Sequence, residues 1–170
     1  QRICSFSHGG LPEGVCQLAV TALCDSEAFL GNNHQQFSGV AGSPLVVNEI
    51  MYTPYSGMPE WVELYNRSGS SIDVCNWTIE DATLSPKNIT NAQQNILPGE
   101  YLLLAPDTSC FAGTCPKIKI VSWPSLNNDG DLVCLRDPRG AAVDRVQYQS
   151  SWGGGSGKSL EKINPFLLSQ

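Results

Sequence analysis

Apolar and polar residues alternate along three stretches between residues 45 and 79, as they do in half-buried β-strands. Residues 45–52 read LVVNEIMY, and residues 61–65 read WVELY after a loop that two prolines bracket. The third stretch, residues 72–79, follows a break rich in glycine and serine. The pattern predicts three successive strands, with Trp61 or Trp77 in the core between two packed sheets.

The second half of the chain continues the same pattern. Residues 101–105 carry an unbroken apolar run and predict a buried strand, and residues 118–123 predict an edge strand. Residues 132–135 and 142–148 predict a hairpin around a Pro-Arg-Gly turn. Residues 81–96 are polar and predict a long loop or a weak edge strand. The fold class is therefore all-β.

The first 43 residues have a different character and predict a cysteine-rich arm ahead of the sandwich. Apolar residues at positions 15, 18, 19, 22 and 23 follow a helical spacing, which favours a short helix. The β-branched Val15, Val20 and Thr21 leave an extended strand open. Residues 31–44 are rich in Gly, Asn, Gln and Ser and predict a linker or an arm. The domains are thus an arm (1–43), a sandwich (44–166) and a C-terminal tail (167–170).

Six short motifs occur in order across the sandwich region. They are NEIMY (48–52), EWVELYN (60–66), NWTI (76–79), LPGEYLLL (97–104), NDGD (128–131) and SLEKINP (159–165). In this order they resemble the lamin tail domain, an immunoglobulin-like β-sandwich family. Its members stand at the end of nuclear lamins and, separately, in secreted or surface proteins. The family carries no catalytic residues, so the resemblance implies a non-enzymatic module.

Composition favours the secreted or surface type over a nuclear lamin. The net charge is −6, which argues against nucleic acid as a partner because its negatively charged phosphates bind basic protein surfaces. Only 15% of residues are charged, against about 25% in average domains. No run reaches the roughly 18 apolar residues of a membrane helix, so no membrane insertion is expected. The chain starts at Gln1 rather than Met, as a mature N-terminus does after signal removal.

Seven cysteines indicate an oxidising compartment, and no spacing among them fits a zinc site. A local pair of Cys110 with Cys115 is the most plausible bridge, since four intervening residues that include a glycine can close the loop. An odd cysteine in a secreted chain suggests an intermolecular bond or a free thiol. The disulfide candidates are Cys4, Cys16, Cys24, Cys75, Cys110, Cys115 and Cys134.

Three N-glycosylation sequons support an extracellular location. They begin at Asn66, Asn76 and Asn88. Asn66 and Asn88 are expected in exposed turns and are the better glycan sites. Asn76 precedes Trp77, a predicted core residue, and is expected to be enclosed.

Other polar groups predict no catalytic, cofactor or metal site. Glu49 and Glu63 lack a nucleophile or companion base and are expected on solvated strand faces. The sequence NNDGD (127–131) lacks the length and terminal Glu of a calcium loop, so a hairpin turn is favoured over a metal site. The glycine-rich residues 153–157 predict a flexible loop rather than a phosphate cradle. His8 and His34 are expected in solvated loops.

Two functions fit these features. The first is a non-catalytic extracellular structural protein that assembles with copies of itself into a filament or surface layer, stabilised by disulfides. The odd cysteine, the arm and the apolar tail motivate it. The alternative is a binding or adhesion module that recognises a glycan or a surface protein through aromatics such as Trp123 and Trp152.

Overall fold

A computed structural model of the chain describes residues 14–21 and 34–167, and for residues 14–21 and 34–41 it describes the backbone. The described residues form thirteen β-strands and one short 3-10 turn at Ser150–Trp152. The strands are β1 (Gly14–Thr21), β2 (His34–Ala41), β3 (Leu45–Met51), β4 (Trp61–Asn66), β5 (Ile72–Asp73), β6 (Thr78–Glu80), β7 (Lys87–Asn88), β8 (Asn95–Ile96), β9 (Tyr101–Ala105), β10 (Lys117–Lys119), β11 (Gly130–Arg136), β12 (Ala142–Gln149) and β13 (Leu160–Glu161).

Two larger sheets form an immunoglobulin-like β-sandwich, which confirms the predicted fold class. One sheet has the order β10-β9-β4-β3-β13, and only the β10–β9 pair is parallel. The other has the order β12-β11-β6-β7 and is antiparallel throughout. A small β5–β8 pair lies apart from both. One apolar core joins the two sheets, and Tyr52 stacks on Tyr148 within it at a ring-centroid distance of 4.7 Å.

Strand β4 shows why alternation predicted the sandwich. Val62 and Leu64 are fully buried, whereas Trp61, Glu63 and Tyr65 are half-buried on the opposite face. Alternate side chains of a strand point to opposite faces, so one face fills the core and the other forms the outer surface. The predicted strands at residues 45–52, 61–65 and 101–105 and the hairpin at 132–148 are all present as β3, β4, β9 and the β11–β12 pair.

Strand β3 departs from strict alternation through a β-bulge. Val47 lies opposite Leu64, but Glu49 lies opposite Glu63, so Asn48 is an extra residue in the strand. The bulge keeps both Val47 and Ile50 in the core, where each is almost fully buried. It also turns Glu49 to the outer face of the sheet.

The third predicted strand, residues 72–79, is wrong as a single element. It is divided into β5 and β6 by a reversal at Asn76, whose φ is 60°. Asparagine adopts this left-handed conformation more readily than most residues. The reversal directs Trp77 into the core with 8% of its surface exposed, while Trp61 remains half-buried on the outer side. The predicted loop at residues 81–96 contains the short strands β7 and β8.

The N-terminal predictions of a helix and a linker are also wrong where the structure describes them, over residues 14–21 and 34–41; residues 22–33 lie outside the described residues. β1 and β2 pair antiparallel over eight residues each, from Gly14 opposite Ala41 to Thr21 opposite His34. The β-branched residues of β1 favour the strand, and a partner strand satisfies the backbone groups that a helix would pair internally. We call β1 and β2 the N-terminal strand pair.

Residues near both predicted boundaries of the sandwich contact it. Ser43, assigned to the arm, is in contact with the sandwich: its carbonyl accepts a 2.6 Å hydrogen bond from Arg67 Nε, and its hydroxyl donates to the carbonyl of Val143. At the other end β13 pairs with β3, and Phe166 packs edge-on against Tyr65. Residues 168–170 of the predicted tail lie outside the described residues.

Replacing Trp77 by Ala should lower the free energy of unfolding by about 3–5 kcal/mol, because a large buried side chain leaves a cavity. Urea unfolding followed by circular dichroism measures this. Trp152→Ala is the matched control: Trp152 is 47% exposed, so its loss should change stability by no more than about 0.5 kcal/mol. Equal losses in the two variants would contradict the placement of Trp77 in the core.

Candidate functional site

Three glutamates lie in a row across the outer face of the five-stranded sheet. Glu63 on β4 is directly opposite Glu49 on β3, and Glu49 is directly opposite Glu161 on β13. We call these residues the glutamate ladder. Like charges directly opposite each other on neighbouring strands destabilise a sheet. The ladder is therefore a local cost to stability that the core has to offset.

The ladder carboxylates accept hydrogen bonds from neutral groups. Glu63 Oε1 accepts from Asn48 Nδ2 at 3.0 Å, and Glu49 Oε1 accepts from the Ser159 hydroxyl. Neither of these two donors carries a charge, so neither neutralises the carboxylate that it contacts. The ladder is thus a concentrated negative charge within the outer surface.

Burial raises the pKa of both Glu49 and Glu63 above 4.5. The hydrogen bonds from Ser159 and Asn48 oppose this, because they stabilise the ionised form. The neighbouring ladder charges raise the pKa further. Protonation of Glu49 and Glu63 therefore becomes easier in the folded chain than in the unfolded chain.

A cluster of aromatic rings continues the same face next to the ladder. Tyr65, two residues beyond Glu63 on β4, lies directly opposite Tyr101 on β9, and their ring centroids are 4.7 Å apart. Phe166 packs edge-on against Tyr65 at 6.2 Å, and Tyr101 is 40% exposed. We call Tyr65, Tyr101 and Phe166 the aromatic strip. Aromatic faces attract cations and carboxylates accept hydrogen bonds, so this face has the chemistry of a binding surface.

The ladder does not form a metal site. The Ser159 hydroxyl donates to Glu49, and among the described residues no group of His, Cys, Asp and Glu is arranged to hold a metal ion. The fully buried Tyr148 has its pKa raised by burial and by nearby Asp131, and its hydroxyl donates to the Asn127 carbonyl at 2.7 Å. It therefore acts as a structural tyrosine.

The cysteines of the sandwich are free thiols in this structure: Cys75, Cys110, Cys115 and Cys134. The expected bridge between Cys110 and Cys115 is not formed in this structure. Cys110 Sγ contacts the Asp107 carbonyl at 3.9 Å, and Cys115 Sγ contacts the Pro116 carbonyl at 3.5 Å. Cys4 and Cys24 lie outside the described residues. Cys16 lies in β1, for which the structure describes the backbone.

The structure reverses the expected exposure of two sequon asparagines. Asn66 is fully buried, and its Nδ2 donates to the carbonyls of Ser70 and Ile96, both at 2.8 Å. The predicted exposure of Asn66 is therefore wrong, because its side chain holds together the turn after β4. Asn76, expected to be enclosed, is exposed, and Asn88 is exposed as expected.

The acidic turn at residues 127–131 is organised by one side chain. Asp131 Oδ2 accepts from the backbone and side-chain amides of Asn127, and its Oδ1 accepts from the backbone N–H groups of Ala82 and Leu132. Both oxygens are thus committed to fixing the turn and its neighbour strand. This occupation agrees with the favoured interpretation of a turn; β11 begins there, but it does not form a hairpin with the preceding strand β10.

The glycine-rich residues 153–157 pack closely against two tyrosines. A Cβ on Gly154 would lie 2.8 Å from Tyr52 Cε1, and one on Gly157 would lie 2.3 Å from the Tyr55 ring. These glycines therefore have a packing role that the prediction of a flexible loop did not include. His34 lies in β2, not in the expected loop, and His8 is outside the described residues.

The two tryptophans of the predicted binding surface differ in environment. Trp123 is half-buried against the core, and its Nε1 donates to Glu60 Oε2 at 2.8 Å. Trp152 is exposed in the 3-10 turn. Sequence analysis did not identify the glutamate ladder or the aromatic strip. Alternation in β4 predicts that Glu63 and Tyr65 share one face of the strand. Which residues lie opposite them on β3 and β9 depends on the pairing register of the strands, which the alternation does not predict.

Comparison with known protein families shows which family the chain belongs to. The family model described as Lamin Tail Domain matches residues 39–150, two thirds of the sequence. Domains of this family are immunoglobulin-like and non-enzymatic, which supports a structural or binding module. The chain belongs to the lamin tail domain family, as the motifs predicted. No curated protein matches it at a significant level. No helix among the described residues is long and apolar enough to cross a membrane.

Glu63→Gln should stabilise the folded chain at pH 7 by about 0.2–1 kcal/mol, the scale of a cross-strand pair. The folded-state pKa values of Glu49 and Glu63 lie above 4.5. Stability from their protonation is therefore fully present below pH 4.5 and is lost as the pH rises through the folded values. Denaturant unfolding between pH 4 and 8 should show this decline, reduced in the variant.

Asp129→Asn is the control, since it removes the same charge from an exposed turn outside the ladder. An identical pH dependence in the wild-type chain and in Glu63→Gln would show that the ladder does not affect stability.

Alkylation under native conditions should distinguish the free cysteines by exposure. Cys110 and Cys115 are exposed, whereas Cys134 is 1% exposed in β11 and burial raises the pKa of its thiol. The thiolate is the reactive form, so Cys134 should be labelled by iodoacetamide only after unfolding. Peptide mass spectrometry at increasing times measures this. Labelling of Cys134 as fast as Cys110 would contradict its burial.

Proposed function

We propose that the chain is a non-catalytic extracellular structural subunit that assembles with copies of itself through the N-terminal strand pair. The observation that carries the proposal is the pairing of β1 and β2. Each is eight residues long, and among the described residues neither has a strand partner on its outer edge. Open strand edges are templates for pairing with another chain.

The register of the strand pair gives it two unlike faces. Leu18 is opposite Phe37 and Cys16 is opposite Gly39, and these positions share one face. Gln17 opposite Ser38 belongs to the other face. A two-stranded pair is marginally stable alone in water and gains stability from a third strand or from a surface that covers its apolar face.

A second copy of the chain supplies both requirements. An arm that pairs with a sheet edge of a neighbour makes a strand-addition contact, as in several known peptide-recognition modes. Such a contact is head-to-tail, and it continues into a filament unless the rotation between copies closes a ring. An odd number of cysteines leaves at least one thiol for a bond between subunits.

Composition and sequons support the extracellular part of the proposal. Seven cysteines in 170 residues fit an oxidising compartment, where thiols of neighbouring subunits can form disulfides. Two of the three sequons have exposed asparagines, as glycan attachment requires. These features support secretion independently of the strand pair.

A binding or adhesion module is the second candidate, and the outer face of the five-stranded sheet favours it. The glutamate ladder is a row of three carboxylates on neighbouring strands, and the aromatic strip adjoins it. A glycan or a surface protein could use the carboxylates as hydrogen-bond acceptors and the rings for stacking. Exposed Trp152 offers a further aromatic contact.

Deletion of residues 1–41 should convert an assembling chain into a folded monomer. This deletion keeps Ser43, which is hydrogen-bonded to the sandwich through Arg67 and Val143. Analytical ultracentrifugation without reductant should show large species for the full chain and a single small species for the deletion variant. Circular dichroism should show retained β-structure in both.

Leu18→Pro in the full chain tests the same contact without shortening it, because proline removes a backbone donor from β1. Leu18→Val is its control and should assemble as the wild type does. A full-length chain that sediments as a monomer at high concentration under oxidising conditions would contradict self-assembly and favour the binding module.

A further inference from the structure

The two exposed sequons lie side by side at one end of the four-stranded sheet. Thr78, which completes the sequon of Asn76, is the register partner of Asn88. Thr90, which completes the sequon of Asn88, accepts a 2.7 Å hydrogen bond at its carbonyl from the backbone N–H of Asn76. The two motifs therefore run antiparallel, and each asparagine lies near the threonine of the other.

Both asparagines are available to a modifying enzyme. Asn76 is exposed at a left-handed position of the turn before β6. Asn88 is exposed in β7, where its Nδ2 donates one hydrogen bond to Asn91 Oδ1 at 2.6 Å and keeps a second hydrogen. Asn66 differs, because its Nδ2 donates to two carbonyls within a fully buried turn.

The location of the two residues matters because β7 is the last strand of its sheet. Among the described strands β7 pairs with β6 alone, so its other edge has no strand partner. The segment before it is exposed and includes Leu84 with 62% of its surface accessible. An uncovered sheet edge next to exposed apolar surface is a site for unwanted pairing.

We propose that Asn76 and Asn88 both carry N-linked glycans, and that these glycans cover the β7 edge and exclude it from strand addition. The inference rests on the proposed extracellular function, which brings the chain to the glycosylating enzyme. It also deepens that function, since the arm of a neighbouring copy must then pair at another sheet edge. Glycans are bulky and hydrophilic, so two of them at one edge prevent a close backbone approach.

The modification is a group transfer that balances without a redox step. The asparagine Nδ2 forms a bond to the anomeric carbon of an oligosaccharide held on a lipid pyrophosphate donor. The bond from that carbon to the donor oxygen breaks, and the lipid pyrophosphate leaves with the electron pair. The amide loses one proton to a base, so the products are the glycosylated amide, the lipid pyrophosphate and one proton.

Site occupancy is measured on the full chain secreted from eukaryotic cells. Enzymatic removal of N-glycans in ¹⁸O water converts each occupied asparagine into labelled aspartate, which peptide mass spectrometry detects. We expect label at Asn76 and Asn88 and none at Asn66. Asn76→Asp and Asn88→Gln should each lower the apparent mass on a denaturing gel by the mass of one glycan. Aspartate is chosen at position 76 because it tolerates the positive φ there. Thr78→Ser preserves the sequon and should leave the apparent mass unchanged.

The effect on assembly is measured by sedimentation of the same secreted material. The double variant N76D/N88Q should contain a larger fraction of high-mass species than the wild type at equal concentration. The variant N76D/N88K also lacks both glycans but places a lysine on the β7 edge, a residue that discourages edge pairing. The fraction of high-mass species in N76D/N88K should therefore equal that of the wild type.

The outcomes separate this inference from the proposed function. Secreted chain without label at Asn76 or Asn88 overturns the glycan inference and leaves the extracellular proposal in place. Occupied sites with identical sedimentation of wild type and N76D/N88Q overturn the shielding role. A chain that is retained inside the cell although it carries an added signal peptide counts against the extracellular proposal itself.

Discussion

The buried hydrogen bond between Asp144 and Val47 holds the two sheets together at the point that sets the register of the sandwich. Asp144 lies on β12 of the four-stranded sheet, and its Oδ2 accepts from the Val47 backbone N–H of β3 at 2.7 Å. Asp144 is 9% exposed, so the bond lies in the interior, where a polar group is costly to bury without hydrogen bonds. It anchors β3 directly before the extra residue, Asn48.

The bulge that follows this bond decides which side chains face outward. Without the extra residue, Glu49 would lie opposite Val62 and face the core, and Ile50 would move to the surface. With it, Ile50 is buried and Glu49 joins Glu63 on the outer face. The glutamate ladder and the core thus depend on the same local irregularity, which is the usual role of a bulge that redirects side chains.

The sheet edges define how such a sandwich can meet a neighbour. The five-stranded sheet ends in short strands, β10 of three residues and β13 of two, and β12 is fastened to β3 near Asp144. Short or covered edges limit unintended pairing. The long strands β1 and β2 lie outside this closed arrangement. The β7 edge of the other sheet is open as well, but β7 has two residues, whereas β1 and β2 have eight each. This difference in edge length is the physical basis for assigning assembly to the N-terminal region.

The sequence by itself determined the fold class, the central strands and the family. The alternation in WVELY and the apolar run of β9 predict these strands because apolar positions mark the residues that are buried. Tertiary structure decided what depends on partners distant along the chain. Helical spacing in residues 15–23 was overridden by pairing of β1 with β2, and the exposure of Asn66 was reversed by carbonyls of a turn and a remote strand. The glutamate ladder needed the register of β3, β4 and β13, in which Glu161 meets Glu49 across 112 positions of sequence. Local sequence encodes the faces of a strand, whereas only the folded sheet specifies which faces become neighbours.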